Sequence, residues 1–182
     1  MDFFLRAKHW QIFTLLIIIP VSLQIFLLAI DDLDLLLVIS PAFVILYIVI
    51  FFGWLWAVGT KLHHKLPAKR RPNLMLFKVI LLVPIIYILG ISIYLSMVIM
   101  GSVPSDSPSL FIMNDIIREV FPLHMLSMFC LFYTFWNNAK TIKSIELQRP
   151  VTFSDFSEEF FLMWFFPIGI WVIQPRVNKM ME

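Results

Sequence analysis

The chain has 182 residues, 60% of them hydrophobic and 16% aromatic, with a net charge of +2. A water-soluble domain of this size cannot hide so much apolar surface, so lipid is the expected solvent. The small net charge argues against a nucleic-acid partner, which would need bases in excess on one face. A single cysteine, Cys130, excludes an intramolecular disulfide and reads as a small buried or lipid-facing side chain.

Crossing roughly 30 Å of hydrocarbon at a helical rise of 1.5 Å takes about twenty apolar residues. The first ten residues are mixed and carry Arg6 and Lys8. The apolar run that follows is longer than a signal-peptide core of roughly 7–15 residues and has no small-residue cleavage site before Asp31, so it reads as a retained first span over 10–30. A short acidic turn, Asp31-Asp-Leu-Asp34, leads to a second span over 35–58. A basic loop (59–78) holds Lys61, Lys65, Lys69, Arg70, Arg71 and Lys78, and a third span covers 79–101. The loop over 102–115 has turn formers such as Pro104 and Pro108 but no base, and a fourth span is expected over 116–136, with Arg118 and Glu119 at headgroup level near its start. A linker (137–154), a short apolar segment (155–174) and a tail (175–182) complete a single membrane domain.

Lysine and arginine are retained on the cytoplasmic side during insertion. Four crossings with both termini inside place Arg6, Lys8, the six bases of the 59–78 loop, Lys140, Lys143, Arg149, Arg176 and Lys179 on that side, and leave only Arg118 opposite. The last apolar run, Phe160 through Ile173, is about fourteen residues long, too short to cross unaided. It is therefore expected to be a re-entrant or interfacial amphipathic helix entering and leaving by the cytoplasmic face, with Asp155 as its cap, Glu158 three residues on, and Glu159 adding negative charge to its first turn. Pro167 and Gly169 supply a bend, and Trp164, Trp171 and Arg176 mark the segment as a contact surface. The fold class expected is all-α: a four-transmembrane-helix bundle with this segment added.

A faint repeat pairs Trp56 through Lys61, Lys65 and Arg71-Pro72 with Trp136 through Lys140, Lys143 and Arg149-Pro150, each followed by an apolar stretch containing a proline. Duplication of a helix pair would produce it; so would the restricted residue usage of lipid-facing sequence.

Little in the sequence carries chemistry. His9, His63 and His64 are of a metal-ligand type, but adjacent side chains diverge on a helix and no carboxylate or thiol is near them in sequence. His124, with Ser127, Cys130 and Thr134 farther along, is the one ionisable side chain expected inside a span: a proton-path candidate, or more simply a histidine bonded to a neighbouring helix. Ser22, Gln24, Ser40, Ser92 and Ser96 can join helices through hydrogen bonds, and Ser92/Ser96 and Gly53/Ala57 have small-xxx-small spacing. Pro20, Pro41, Pro84 and Pro122 each remove a backbone donor from a helix. The basic loop is suited to anionic lipid headgroups, at about 1 kcal/mol per base before screening. No nucleophile–base pair, phosphate loop or metal motif is seen, so no cofactor is expected.

Arg6-Ala-Lys-His-Trp-Gln-Ile-Phe13 at the start, and Val151 to Phe156 with Trp164-Phe-Phe-Pro-Ile-Gly-Ile-Trp-Val-Ile-Gln-Pro-Arg-Val-Asn178 at the end, resemble small multi-span membrane proteins of Bacteroidota-type bacteria. The resemblance implies a bacterial inner-membrane protein and carries over no residue role. The leading functional expectation is a non-enzymatic component acting through assembly, as a homo-oligomer or a subunit of an envelope or defence complex. A small channel or pore-forming effector comes second, and an intramembrane enzyme last.

Overall fold

The computed structural model describes residues 2–30, 33–67, 71–99 and 109–181, and every regular element among them is helical. Helices α1 (Asp2–Arg6) and α2 (His9–Phe13) lead through a π turn (Thr14–Ile18) into α3 (Ile19–Ile30). Helix α4 (Leu33–Tyr47) leads through a second π turn (Ile48–Phe52) into α5 (Gly53–Lys61) and a 3₁₀ turn, Leu62–Lys65. Then come α6 (Leu74–Ile99), α7 (Ser109–Leu147), α8 (Phe153–Trp164) and α9 (Phe166–Met181).

Three stretches are long and apolar enough to cross a membrane: His9–Ile30, Pro41–Lys65 and Leu74–Met97. The first two each carry a π turn, and these turns touch. In the first, Ile19 N–H reaches back to the Thr14 carbonyl, one residue farther than in an α-helix, just before Pro20. The widened turn accommodates a ring that would otherwise press on a carbonyl four residues back. Helix α6 begins where Asn73 caps it, its Oδ1 accepting from Met75 N–H at 3.0 Å and Leu76 N–H at 3.1 Å. Lys78 thus lies one turn inside the helix, with its ammonium 5.6 Å from the Trp56 ring centre.

Helix α7 extends well past the expected end of the fourth span. Residues 137–147, read from sequence as linker, are helical because Asn137, Asn138, Ala139, Thr141, Ile142 and Ser144 are buried and hold the extension against its neighbours. Gln148, with φ 51°, ends it in the left-handed conformation, and its side-chain amide donates to the Ile145 carbonyl at 2.7 Å. The C-terminal segment is a helical hairpin, and its second arm continues through residues read as a tail. The first arm starts earlier than expected: Thr152 is the cap, and Asp155, the expected cap, is instead the third helical residue, accepting from Thr152 N–H at 2.8 Å.

The core sits toward the end of the bundle where the chain termini meet. Phe51, Phe52, Trp54, Leu55, Phe77, Ile142, Phe156, Met163, Phe166, Ile170 and Ile173 form it. On the far half, Ile25, Phe26, Leu28, Ile86 and Ile93 stay more than half exposed. The hairpin tip enters this core, where Phe166 packs edge-on against Phe51 at 4.9 Å and Trp54 at 5.1 Å, beside both π turns.

Candidate functional site

The hairpin is held by groups that sequence separation hides. Glu159 is fully buried, on the same face of α8 as Phe156 and Met163. Its carboxylate accepts from Lys143 Nζ of α7 at 2.9 Å and from Arg176 Nη2 of α9. Arg176 also grips Glu146 of α7 with two nitrogens, Nε at 2.6 Å and Nη2 at 2.5 Å. Two cations and two carboxylates cancel, so three helices meet around a neutral cluster. Burial alone would push the Glu159 carboxyl up, but hydrogen bonds from Lys143 and Arg176 outweigh it and hold the group below the usual carboxylate range. The bond to Glu146 likewise raises Arg176. A carboxylate so neutralised is a poor general base.

Gln174, also fully buried, is a second hub. Its oxygen accepts from Trp54 Nε1 at 2.6 Å, and its amide lies 2.9 Å from the Phe4 carbonyl, 2.8 Å from the Ala7 carbonyl and 2.8 Å from Asn178 Oδ1. One side chain thereby ties α9 to α5 and to the N-terminal segment. At the hairpin's neck, Arg149 pairs with Asp155 at 2.6 Å, and that bond first, then those from Thr152, hold the Asp155 carboxyl well below its ordinary range. Gly169 is where the two arms touch: a Cβ there would overlap the Leu162 carbonyl.

The residues singled out by sequence are scattered. Trp164 lies against Phe132 at 4.7 Å and Trp171 against His9 at 4.6 Å, Pro167 is exposed at the tip, and Gly169 and Arg176 lock the hairpin. In the basic loop, Lys61 and Lys65 are exposed, Lys69 and Arg70 fall outside the described residues, and Arg71 donates to the Leu66 carbonyl at 2.9 Å and the His64 carbonyl at 3.2 Å. Ser92 and Ser96 turn back onto their own helix, donating to the Ile88 and Ser92 carbonyls at 2.6 and 2.8 Å. Gln24 is exposed and Ser127 is buried. His124 Nδ1 meets the Tyr87 hydroxyl at 3.1 Å, joining α7 to α6. His63 Nε2 faces the Pro72 carbonyl at 2.9 Å while His64 is exposed, and among the described residues no cluster of three or more potential ligands could hold a metal.

Beside the Tyr87–His124 pair runs an open apolar groove of about 430 Å³ between α6 and α7. Gly90 lines it, and a Cβ added there meets nothing within 4 Å.

Sequence reasoning missed two networks, Glu159 with Lys143, Glu146 and Arg176, and Gln174 with Trp54. One signal was present: Phe156, Glu159 and Met163 recur at helical spacing, which puts a carboxylate on an apolar face. No family model, curated protein or solved structure matches the chain.

Proposed function

We propose that the chain is a four-span bundle with both termini on the cytoplasmic side, and that it acts by pairing with a second copy rather than through chemistry of its own. The bonds from Gln174 and Asn178 to Ala7 bring both termini to one end, as an even number of crossings requires. The 116–136 stretch of α7 supplies the fourth crossing, and the hairpin, whose neck and last turn share that end, is re-entrant. Placement in a bacterial inner membrane rests on the resemblance of the chain's two ends, and anionic headgroups remain the expected neighbours of Lys65 and Arg71.

The observation that carries the reading is the α6–α7 groove. Tyr87 lies midway along α6, at hydrocarbon depth, and His124 is exposed, with no partner for Nε2 among the described residues. Lipid tails offer such groups no hydrogen bond, whereas a helix from a second copy does. The missing side chain at Gly90 lets that helix approach closely. The competing readings draw less support: the Ser92 and Ser96 hydroxyls that would line a pore bond to their own helix, and the buried carboxylate an enzyme would use is neutralised.

Light scattering of the purified chain in detergent across a dilution series tests this. Wild type is expected to be dimeric, and Gly90→Leu, which fills the groove, to weaken the dimer at least tenfold. A monomeric wild type throughout, or an unaffected variant, refutes the reading, and ion flux in reconstituted liposomes would favour a pore instead.

A further inference from the structure

A second cavity, of about 410 Å³, lies farther along α7, near its C-terminal end, between that helix, the residues leading into α6 and those leading into α8. Two cations, Arg71 and Lys140, line it, and no carboxylate does. Asn137, Thr141 and Ser144 also line it, spaced three or four residues apart on one face of α7. Each is more than nine-tenths buried, and none makes a side-chain hydrogen bond among the described residues. Their polar atoms are not sealed into the core but open onto the cavity, so three unpaired hydrogen-bonding groups on one wall are available to whatever fills it. Arg71 is fixed by its bonds to the His64 and Leu66 carbonyls, which leaves Nη1 for a ligand. Lys140 is exposed, with no acidic partner among the described residues; the nearby carboxylates are engaged elsewhere, Glu146 and Glu159 by Arg176 and Asp155 by Arg149.

We propose that this cavity binds a phosphate group. Arg71 and Lys140 supply charge to match a mono- or dianion, and the Asn137 amide and the Thr141 and Ser144 hydroxyls donate to its remaining oxygens. Tyr133 and Trp136 on the same wall are the amphipathic aromatics found at headgroup level, so the phosphate can arrive on a membrane lipid or on a soluble molecule.

Two arms separate these sources, both using the full-length purified chain. In one, equilibrium binding of inorganic phosphate is measured in neutral detergent. In the other, native mass spectrometry counts lipid retained after extraction from phosphatidylcholine vesicles with and without phosphatidic acid. Retention of phosphatidic acid alone identifies a lipid headgroup, and saturable inorganic phosphate binding identifies a soluble ligand. In whichever arm binds, Lys140→Gln and Thr141→Val should each weaken binding about tenfold, while Lys179→Gln, exposed on α9 and outside the cavity, should change it less than twofold. Both substitutions are conservative in size, and an unchanged melting temperature certifies the fold. Absence of binding in both arms overturns the proposal. So does equal loss in Lys179→Gln and Lys140→Gln, which would mean diffuse surface charge.

Discussion

The two ends of the bundle solve the same solvent problem differently. Lipid tails are as apolar as leucine, so apolar contact alone gives membrane helices little reason to associate. At the end where the termini meet, association is specified by polar bonds and one glycine: Glu159 between Lys143 and Arg176, Gln174 among Trp54, Phe4 and Ala7, and Gly169 against Leu162. At the other end Ile25, Phe26, Leu28 and Ile93 are left for lipid, and Gly90 meets nothing. One glycine is a point of tight closure and the other an open notch, so identical substitutions should behave oppositely.

The largest effect is expected from Gly169→Ala. The Leu162 carbonyl is backbone and cannot rotate away, so α8 and α9 must separate; we expect a loss of about 3 kcal/mol, seen as a lowered melting temperature and faster hydrogen exchange in α9. If α9 keeps its exchange protection, the tight closure of this end is wrong.

Glu159→Gln comes next, at about 2 kcal/mol. The value for breaking a buried pair is reduced because Lys143 and Arg176 are each partly exposed and Arg176 keeps Glu146. Acid should act similarly. The Glu159 carboxyl is lowered in the folded state, so its contribution is fully present above the unfolded value, roughly 4.3, and disappears as pH falls through the lower folded value. Melting temperatures measured from pH 7 downward should fall in wild type below about pH 4 and fall less in Glu159→Gln. Parallel curves for the two proteins would show that the cluster is not the acid-sensitive element.

The smallest effect belongs to Gly90→Ala. With no neighbour to meet and alanine the better helix former, the monomer should be unchanged or stabilised by up to about 1 kcal/mol. A loss comparable to that at Gly169 would erase the contrast between the two ends.

The apolar stretches were legible, because about twenty residues of composition and a 1.5 Å rise suffice. The bend of the last segment was legible in outline: Pro167 and Gly169 were expected to supply one, and the structure breaks the helix at Phe165, between α8 and α9. Its detail was not. Placing the helix start at Asp155 made Glu159 a first-turn charge, whereas capping by Thr152 starts the helix at Phe153 and turns Glu159 into the core. Ser92 and Ser96 had the spacing of a helix contact, but a serine bonds as readily to the carbonyl four residues back, and the spacing is the same for both outcomes.

By itself, then, the sequence determined that the chain has apolar stretches long enough to cross a membrane, and that its last apolar run, at about fourteen residues, is shorter than these. Each follows from composition within one stretch. Only the tertiary structure decided that Glu159 would be buried, that Gln174 would join both ends of the chain, and that Arg71 and Lys140 would share a cavity. The partners of those groups lie 16 and 17 residues away for Glu159, and up to 170 for Gln174. Separations of that size leave no periodic trace; they become contacts only when helices fixed elsewhere bring the groups together.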